Sequence, residues 1–296
     1  MKDSEVFDSS CGNVSKYVFT GDDFVAETVL YNYGGYENRT VICCSTQSGC
    51  KVGCKFCGTG NKFVRNLTSD EIVSQIITVL SDKNIENIES CKKFQIMFMS
   101  MGEPMHNWDN VEKALIKLNK IYPNAQLLIS TIGINDWKTV RQIINISKVI
   151  DKIGLQFSIH KSNDLDRNNL IPFKDKLSLK QIRDFGNIWW YEVGRQPFLN
   201  YCIDGTNNTI KDFENLTNLF SHTTFCFTFS TICSANENMK EAGYKNLDDI
   251  NNFANMFMIE GYNTRVFNPD GQDDIGGGCG QLWYVQEWLK NNKGDR

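Results

Sequence analysis

The chain of 296 residues exceeds the usual single-domain size, although one α/β barrel of this length is common. Its 41% apolar and 22% charged residues belong to a globular protein with a sizeable core, and no apolar run is long enough for a membrane span. A formal net charge of −4 excludes the overall basic surface from which nucleic-acid binders draw most of their affinity, and leaves room only for a local patch.

The opening "MKDSEVFDSSCGN" is polar and lacks the apolar region of a signal peptide, so the chain is expected in the cytoplasm. Thiols there stay reduced, and the odd total of 11 cysteines also argues against a disulfide framework. Residues 1–38 read as a β extension, with "KYVFT" and "FVAETVLY" forming a hairpin around Gly21, Asp22 and Asp23. Residues 39–235 read as the core, in which apolar β-rich runs recur at 40–46, 94–100, 126–131, 154–160, 197–203 and 225–231. Between them "SDEIVSQIITVLSDK", "WDNVEKALIKLNKIY", "WKTVRQIINISKVID", "SLKQIRDFGNIWWYE" and "KDFENLTNLFS" carry apolar residues at helical spacing. Ser69 and Asp70 ahead of Glu71, and Ser178 ahead of "LKQIRDF", are helix starts. Such alternation predicts an α/β fold with a parallel sheet, best matched by an incomplete, TIM-like (β/α)6 barrel. Functional residues then belong at the C-terminal ends of the strands. Residues 236–296 read as a C-terminal extension made of a last strand, the glycine-rich "GGGCG" loop and a closing helix.

Five cysteines fall within "CCSTQSGCKVGCKFCGTG", residues 43–60. Cys50, Cys54 and Cys57 form C-x3-C-x2-C directly after the first core strand, among Gly49, Gly53, Gly58 and Gly60. Three thiolates on one tight loop suit three corners of an iron–sulfur cubane and leave one iron open. Zinc would want a second cysteine pair, and buried structural cysteines would not need this spacing. Lys51, Lys55, Lys62 and Arg65 lie in the same stretch and form either a local basic patch or an ordinary solvated loop. Cys44 should face away from Cys43 along a strand and pack. Cys11, Cys91, Cys202, Cys226 and Cys233 fit no motif and read as buried or incidental thiols.

The cysteine loop, with Phe56 before its last thiol, resembles the radical S-adenosylmethionine (radical SAM) superfamily. More narrowly, "ETV" (27–29), "RNLT" (65–68), "MGEP" (101–104), "STIG" (130–133), "SIHKSNDLDRNNLIP" (158–172) and "DDIGGGCGQL" (273–282) follow in the order found in the RlmN/Cfr family. These are radical SAM enzymes that methylate adenine carbons in RNA. The resemblance implies a radical-SAM barrel with a 4Fe–4S cluster on Cys50, Cys54 and Cys57 and S-adenosylmethionine on its open iron. It assigns Gly102, Glu103 and Pro104 to the cofactor's amino group, and Ser130, Ser158 and His160 to its ribose and carboxylate. Cys279 is implied as the thiol that accepts a methyl group, which a deoxyadenosyl radical then activates to add to the adenine ring. Cys43 is implied as the second thiol, which resolves the covalent adduct through a disulfide. Glu27 matches a family glutamate near the substrate with a proton-transfer role. The implied acceptor atom is C2, favoured over C8, the partners are rRNA or tRNA, and flavodoxin or ferredoxin is the electron donor.

The chain departs from the family at several points. Only about 25 residues precede "ETV", too few for the family's N-terminal helical domain. "STICSANEN" stands in place of a Pro-Trp-Asn segment, Ile132 replaces a serine, Lys161-Ser162 replaces Ala-Pro, and Asp270 stands where basic residues are usual. Besides RNA adenine methylation, two alternatives therefore stay open: the same two-cysteine methylation of a free nucleotide or another small aromatic, and a non-catalytic iron–sulfur protein. Retention of both Cys43 and Cys279 counts against the last, since cluster binding requires neither.

Overall fold

The structure is a computed structural model that describes residues 3–60, 62–232, 246–268, 270–278 and 280–292. Three antiparallel strands lead the chain: β1 (Asp3–Asp8), β2 (Val14–Gly21) and β3 (Phe24–Asn32). The expected hairpin is β2–β3, turning between Gly21 and Phe24. β1 adds an outer strand paired with β2 that the alternation had not signalled. β3 pairs antiparallel with β4 (Arg39–Cys44), which opens the parallel part of the sheet. The remaining long strands are β7 (Lys93–Phe98), β8 (Gln126–Thr131), β9 (Ile153–Ser158), β10 (Phe198–Ile203), β11 (Cys226–Thr231) and β12 (Thr264–Phe267). One ten-stranded sheet results, in the order β1-β2-β3-β4-β7-β8-β9-β10-β11-β12, and every pair from β4 onward is parallel. The fold is α/β, with a partial parallel barrel behind antiparallel N-terminal strands.

Helices α1 (Ser69–Asp82), α2 (Trp108–Ile121), α3 (Trp137–Val149), α5 (Leu179–Val193) and α6 (Ile210–Leu219) occupy the five predicted segments. α1 starts one residue earlier than its sequence signal. Thr68 is the N-cap, its hydroxyl accepting from the Glu71 amide while the Glu71 carboxylate accepts from the Thr68 amide. Ser178 caps α5 in the same reciprocal way with Gln181. α4 (Asp164–Leu170) and α7 (Leu247–Ile259) were not foreseen, and α8 (Tyr284–Asn292) is the closing helix. The main core lies between sheet and helices, where Ile42, Ile96, Leu127, Leu155, Leu199 and Phe227 from successive strands meet Ile76, Leu115, Ile143 and Phe185. Alternation sends the other strand face inward, so barrel-lining residues recur at every second position. Cys44 joins the main core and Cys43 faces the barrel interior. Among the described residues no helix is long and apolar enough to cross a membrane.

Candidate active site

The cysteine loop leaves the sheet through a two-stranded ribbon of β5 (Gln47–Gly49) and β6 (Phe63–Asn66). The Cys50 amide donates to the Lys62 carbonyl at 2.7 Å, closing the loop at its neck. Gly49 has φ +79°, and a Cβ there would sit 1.9 Å from the Lys62 oxygen, so only glycine fits. On the far side, the Lys55 amide donates to the Leu170 carbonyl at the end of α4. Cys50, Cys54 and Cys57 are partly buried on this loop. Burial pushes the Cys50 thiol up to about 12, and it raises Cys54 and Cys57 too. Neighbouring thiolates add to the rise at Cys50 and Cys54, which places the sulfurs within each other's field.

A cavity of about 130 Å³ lies under the loop at the C-terminal ends of the strands. Its lining brings together Cys50, Cys54, Cys57, Gly102, Glu103, Ser130, Ser158 and His160, eight of the residues assigned to metal and cofactor. Pro104 stays outside this lining and opens a short 3-10 turn, Pro104–Asn107. Glu103 is buried, and its carboxylate accepts from the Thr131 hydroxyl (2.6 Å) and the Ile132 (2.9 Å) and Met105 (3.0 Å) amides. It ties the segment after β7 to the segment after β8; burial raises its pKa, and those hydrogen bonds oppose the rise. Ile132 makes its contact through its backbone amide. His160 is buried in the left-handed region at φ +57°. Its Nδ1 accepts from the Cys202 amide at 3.1 Å, which puts the ring proton on Nε2. Burial, with Arg167 and Lys161 adding to it, lowers its pKa to about 3 and keeps the imidazole neutral.

Arg167 bears on what the loop can hold. It is fully buried, donating to the Leu177 (2.7 Å) and Ile132 (2.6 Å) carbonyls, and it lies in the field of Cys54. Among the described residues its Nε has no hydrogen-bond partner and no carboxylate lies within ion-pair distance, although Asp164 acts on it from farther off. A buried guanidinium calls for a counter-charge, and an anionic metal–thiolate group on the adjacent loop would supply one. Among the described residues no three His, Cys, Asp or Glu side chains converge on a single-ion site. Thiolates that each bind a separate iron of a cluster need not converge. The residues present fit an iron–sulfur cluster.

A second cavity of about 480 Å³ runs down the barrel interior. It adjoins the first through shared walls of Cys57, Thr59, Met99, Ser100, Asn200 and Gly280. Cys43 lines it near the top, together with Gly277, Gly278 and Gly280 of the C-terminal loop. Cys279 lies outside the described residues, as does Cys233. The Gly58 amide donates to the Gly280 carbonyl at 2.6 Å, so the loop that flanks Cys279 abuts the cysteine loop. At Gly280 φ is +81°, and a Cβ would press on the Phe56 carbonyl at 3.0 Å. Among the described residues no disulfide joins two cysteines, and nothing here supports the expected one.

Glu27 lines neither cavity. It is fully buried on β3, 3.4 Å from the Lys16 ammonium, and it accepts from the Tyr284 amide at 3.0 Å. Burial raises its pKa while Lys16 opposes the rise. Lys16 in turn donates to the Gly276 carbonyl at 3.4 Å, and the Tyr31 hydroxyl donates to the Gly277 carbonyl. The pair therefore fastens the C-terminal loop and α8 to the N-terminal hairpin from behind the cavity wall.

The four basic residues of the opening stretch line neither cavity, and Arg65 is neutralised by Glu71 (2.7 Å) and Asp23 (2.8 Å). Of the cysteines outside motifs, Cys91, Cys202 and Cys226 are buried, with Cys202 on the small cavity's wall, whereas Cys11 is exposed. Sequence reasoning missed Arg167, Asn200, Gln156 and the cations Arg39, Lys93 and Arg265, all but the first lining the larger cavity. Strand alternation could have found Arg39 and Val41, which share the inward face of Cys43.

No protein-family model matches the chain. A radical SAM methyltransferase from Sphaerobacter thermophilus matches it with a TM-score of 0.78 and 26% identity, over 95% of this chain and 80% of that one. Streptococcus suis SuiB bound to S-adenosylmethionine shares the fold alone, with a TM-score of 0.56 and 14% identity over 79% of this chain and 51% of its own. A partial barrel with the C-x3-C-x2-C loop above its strand ends defines a radical SAM enzyme, here of the methyltransferase class. The probable dual-specificity RNA methyltransferase RlmN of Finegoldia magna is 31% identical over 279 residues, covering 93% of this chain and 76% of that protein. The corresponding Clostridium perfringens protein is 32% identical over 273 residues, covering 88% and 72%. The chain belongs to the RlmN-like radical SAM methyltransferase family.

Proposed function

We propose that this enzyme methylates an sp2 carbon of adenine in RNA, C2 in preference to C8, using Cys279 as methyl acceptor and Cys43 as the thiol that releases the product. The observation that carries this reading is the junction of two cavities: one gathers the three loop cysteines with Gly102, Glu103, Ser130, Ser158 and His160, and the other holds Cys43 and both neighbours of Cys279. In this reading Cys50, Cys54 and Cys57 hold a 4Fe–4S cluster, and Gly102, Glu103, Ser130, Ser158 and His160 hold S-adenosylmethionine. Bound there, these groups supply the methyl group and the one-electron chemistry, with flavodoxin or ferredoxin as the reductant. Neutral His160 offers Nε2–H as a donor to an acceptor oxygen. The apolar walls of Val29, Val41, Met97 and Met99 keep water from the reacting carbon. Cys43, on a rigid strand, would attack as a thiolate the sulfur of the Cys279 adduct; the carbon–sulfur bond breaks with its electron pair staying on the carbon, which takes up a proton to complete the methyl group, as the two sulfurs form the disulfide and the product leaves. Glu27 fits a positioning role here better than proton transfer, since it faces Lys16 and the C-terminal loop and lines neither of the two cavities.

A free nucleotide as substrate is the second reading, favoured by the net charge of −4 and by the neutralised Arg65. Two measurements test the proposal. Reconstituted, reduced enzyme should cleave S-adenosylmethionine to 5′-deoxyadenosine, and its absence would sink radical chemistry altogether. Cys43→Ala expressed in cells should accumulate a covalent protein–RNA adduct, whose sequencing names the target. Cleavage without any nucleic-acid adduct would instead favour the free-nucleotide reading.

A further inference from the structure

The larger cavity ends, at the N-terminal mouth of the barrel, in a group of cations that lie outside the lining of the smaller cavity. Arg39 opens β4, Lys93 is its register partner at the start of β7, and Arg265 on β12 reaches the same mouth from the far edge of the sheet. No carboxylate lies within ion-pair distance of any of the three among the described residues. Their contacts are with neutral groups. Arg39 donates Nε to the Gln95 amide oxygen at 3.1 Å and lies over the Tyr33 ring at 4.7 Å, and exposed Arg265 lies over the Phe198 ring at 4.1 Å. Burial lowers the Lys93 pKa, and the charges of Arg39 and Arg265 lower it further. Arg195 and Lys152 line the same cavity but donate to backbone carbonyls, and the acid there, Asp151, lies in the field of Arg195. Ordinary rim charges would alternate in sign or spread apart; three like charges meeting at the end of an enclosed space repel one another unless an anion sits between them.

The space behind them suits a nucleotide. From Arg39 to Cys43 is four residues of extended strand, about 13 Å, comparable to the length of one nucleoside monophosphate. Small-ligand sites span roughly 300–1,000 Å³, and this cavity holds about 480 Å³. Val41, Met97 and Phe267 offer apolar walls for a ring, and the amides of Gln156 and Asn200 are the polar groups beside it.

We propose that Arg39, Lys93 and Arg265 form the receptor for the phosphate of the substrate nucleotide, so that the unit recognised is a nucleoside phosphate and not the nucleoside alone. The proposal rests on adenine as the methylated base, and it adds the group that fixes the nucleotide's direction, phosphate down and base toward Cys43. The shared chemistry is a phosphate ester, whether of a free nucleotide or of an RNA strand.

Equilibrium binding to the full reconstituted chain tests it, without reductant, using adenosine, adenosine 5′-monophosphate and a short adenine-containing oligoribonucleotide. The monophosphate or the oligonucleotide should bind at least about tenfold more tightly than adenosine, with an advantage that shrinks as salt screens it. Which of the two gains identifies the source of the phosphate. Lys93→Gln with Arg265→Gln should erase that advantage and leave adenosine binding unchanged, and each single variant should lose part of it, which covers a double variant that fails to fold. Equal affinity for all three ligands would overturn the proposal, as would variants that weaken adenosine as much as its phosphate. S-Adenosylmethionine cleavage, measured in parallel on the wild-type enzyme, separates the two ideas: if cleavage fails while the phosphate preference persists, the methylation reading falls and the receptor stands.

Discussion

His160 illustrates how one residue's setting changes its chemistry. A strand end in the left-handed region, a backbone amide on Nδ1 and complete burial hold its pKa near 3, so the ring does not titrate across the physiological range. The sign of the pH effect follows: below the ordinary histidine value of about 6.5, the unfolded chain binds a proton that the folded site refuses. Stability should therefore fall as pH drops from about 6.5 toward 3. His160→Gln should be less acid-sensitive over that window, as urea denaturation of both proteins at pH 7 and pH 5 would measure. The buried Glu27 and Glu103, with raised pKa values, act in the opposite direction, so the comparison must be between variants and not of the absolute curve. Spacing alone pointed to the loop cysteines, because an iron–sulfur cluster would need three thiols at a fixed reach. It could not show that Glu27 faces Lys16, because the diagonal contact depends on the β2–β3 register.

At the scale of elements, the β5–β6 ribbon matters most, because it sets the mouth of the cysteine loop. Gly49→Ala places a methyl group against the Lys62 carbonyl at a positive φ, so it should destabilise the protein by more than about 1 kcal/mol. It should also lower the iron and sulfide bound per chain after reconstitution, and full loading in a folded variant would refute that role for the neck. The strands were legible because alternating apolar runs leave few options, and the same parity separated Cys43 from Cys44. α4 was not legible. Its sequence, "DLDRNNL", has no apolar stripe, and it is held by the Asn163 cap and by Arg167 donating to the Leu177 and Ile132 carbonyls. Those partners come together only in the folded chain.

The whole molecule is joined by contacts between its two ends. Lys16 bridges Glu27 and the Gly276 carbonyl, Tyr284 caps Glu27, and the rings of Tyr31 and Phe267 meet at 6.3 Å between β3 and β12. Lys16→Met should cost roughly 3–5 kcal/mol by leaving a buried carboxylate uncompensated, and the Lys16→Met/Glu27→Leu double variant should recover much of that in chemical denaturation. A single variant as stable as the wild type would show that the pair does not fasten the loop. The sequence by itself determined the class of fold, the cluster-type loop and the family resemblance, because alternation and fixed ligand spacing are local properties of a chain. Only the tertiary structure decided that two cavities adjoin at Asn200 and Gly280, that Glu27 lies behind the wall, and that three cations meet at the barrel mouth. These depend on how far the sheet curls, which brings β12 round toward β4, and no local pattern encodes that closure.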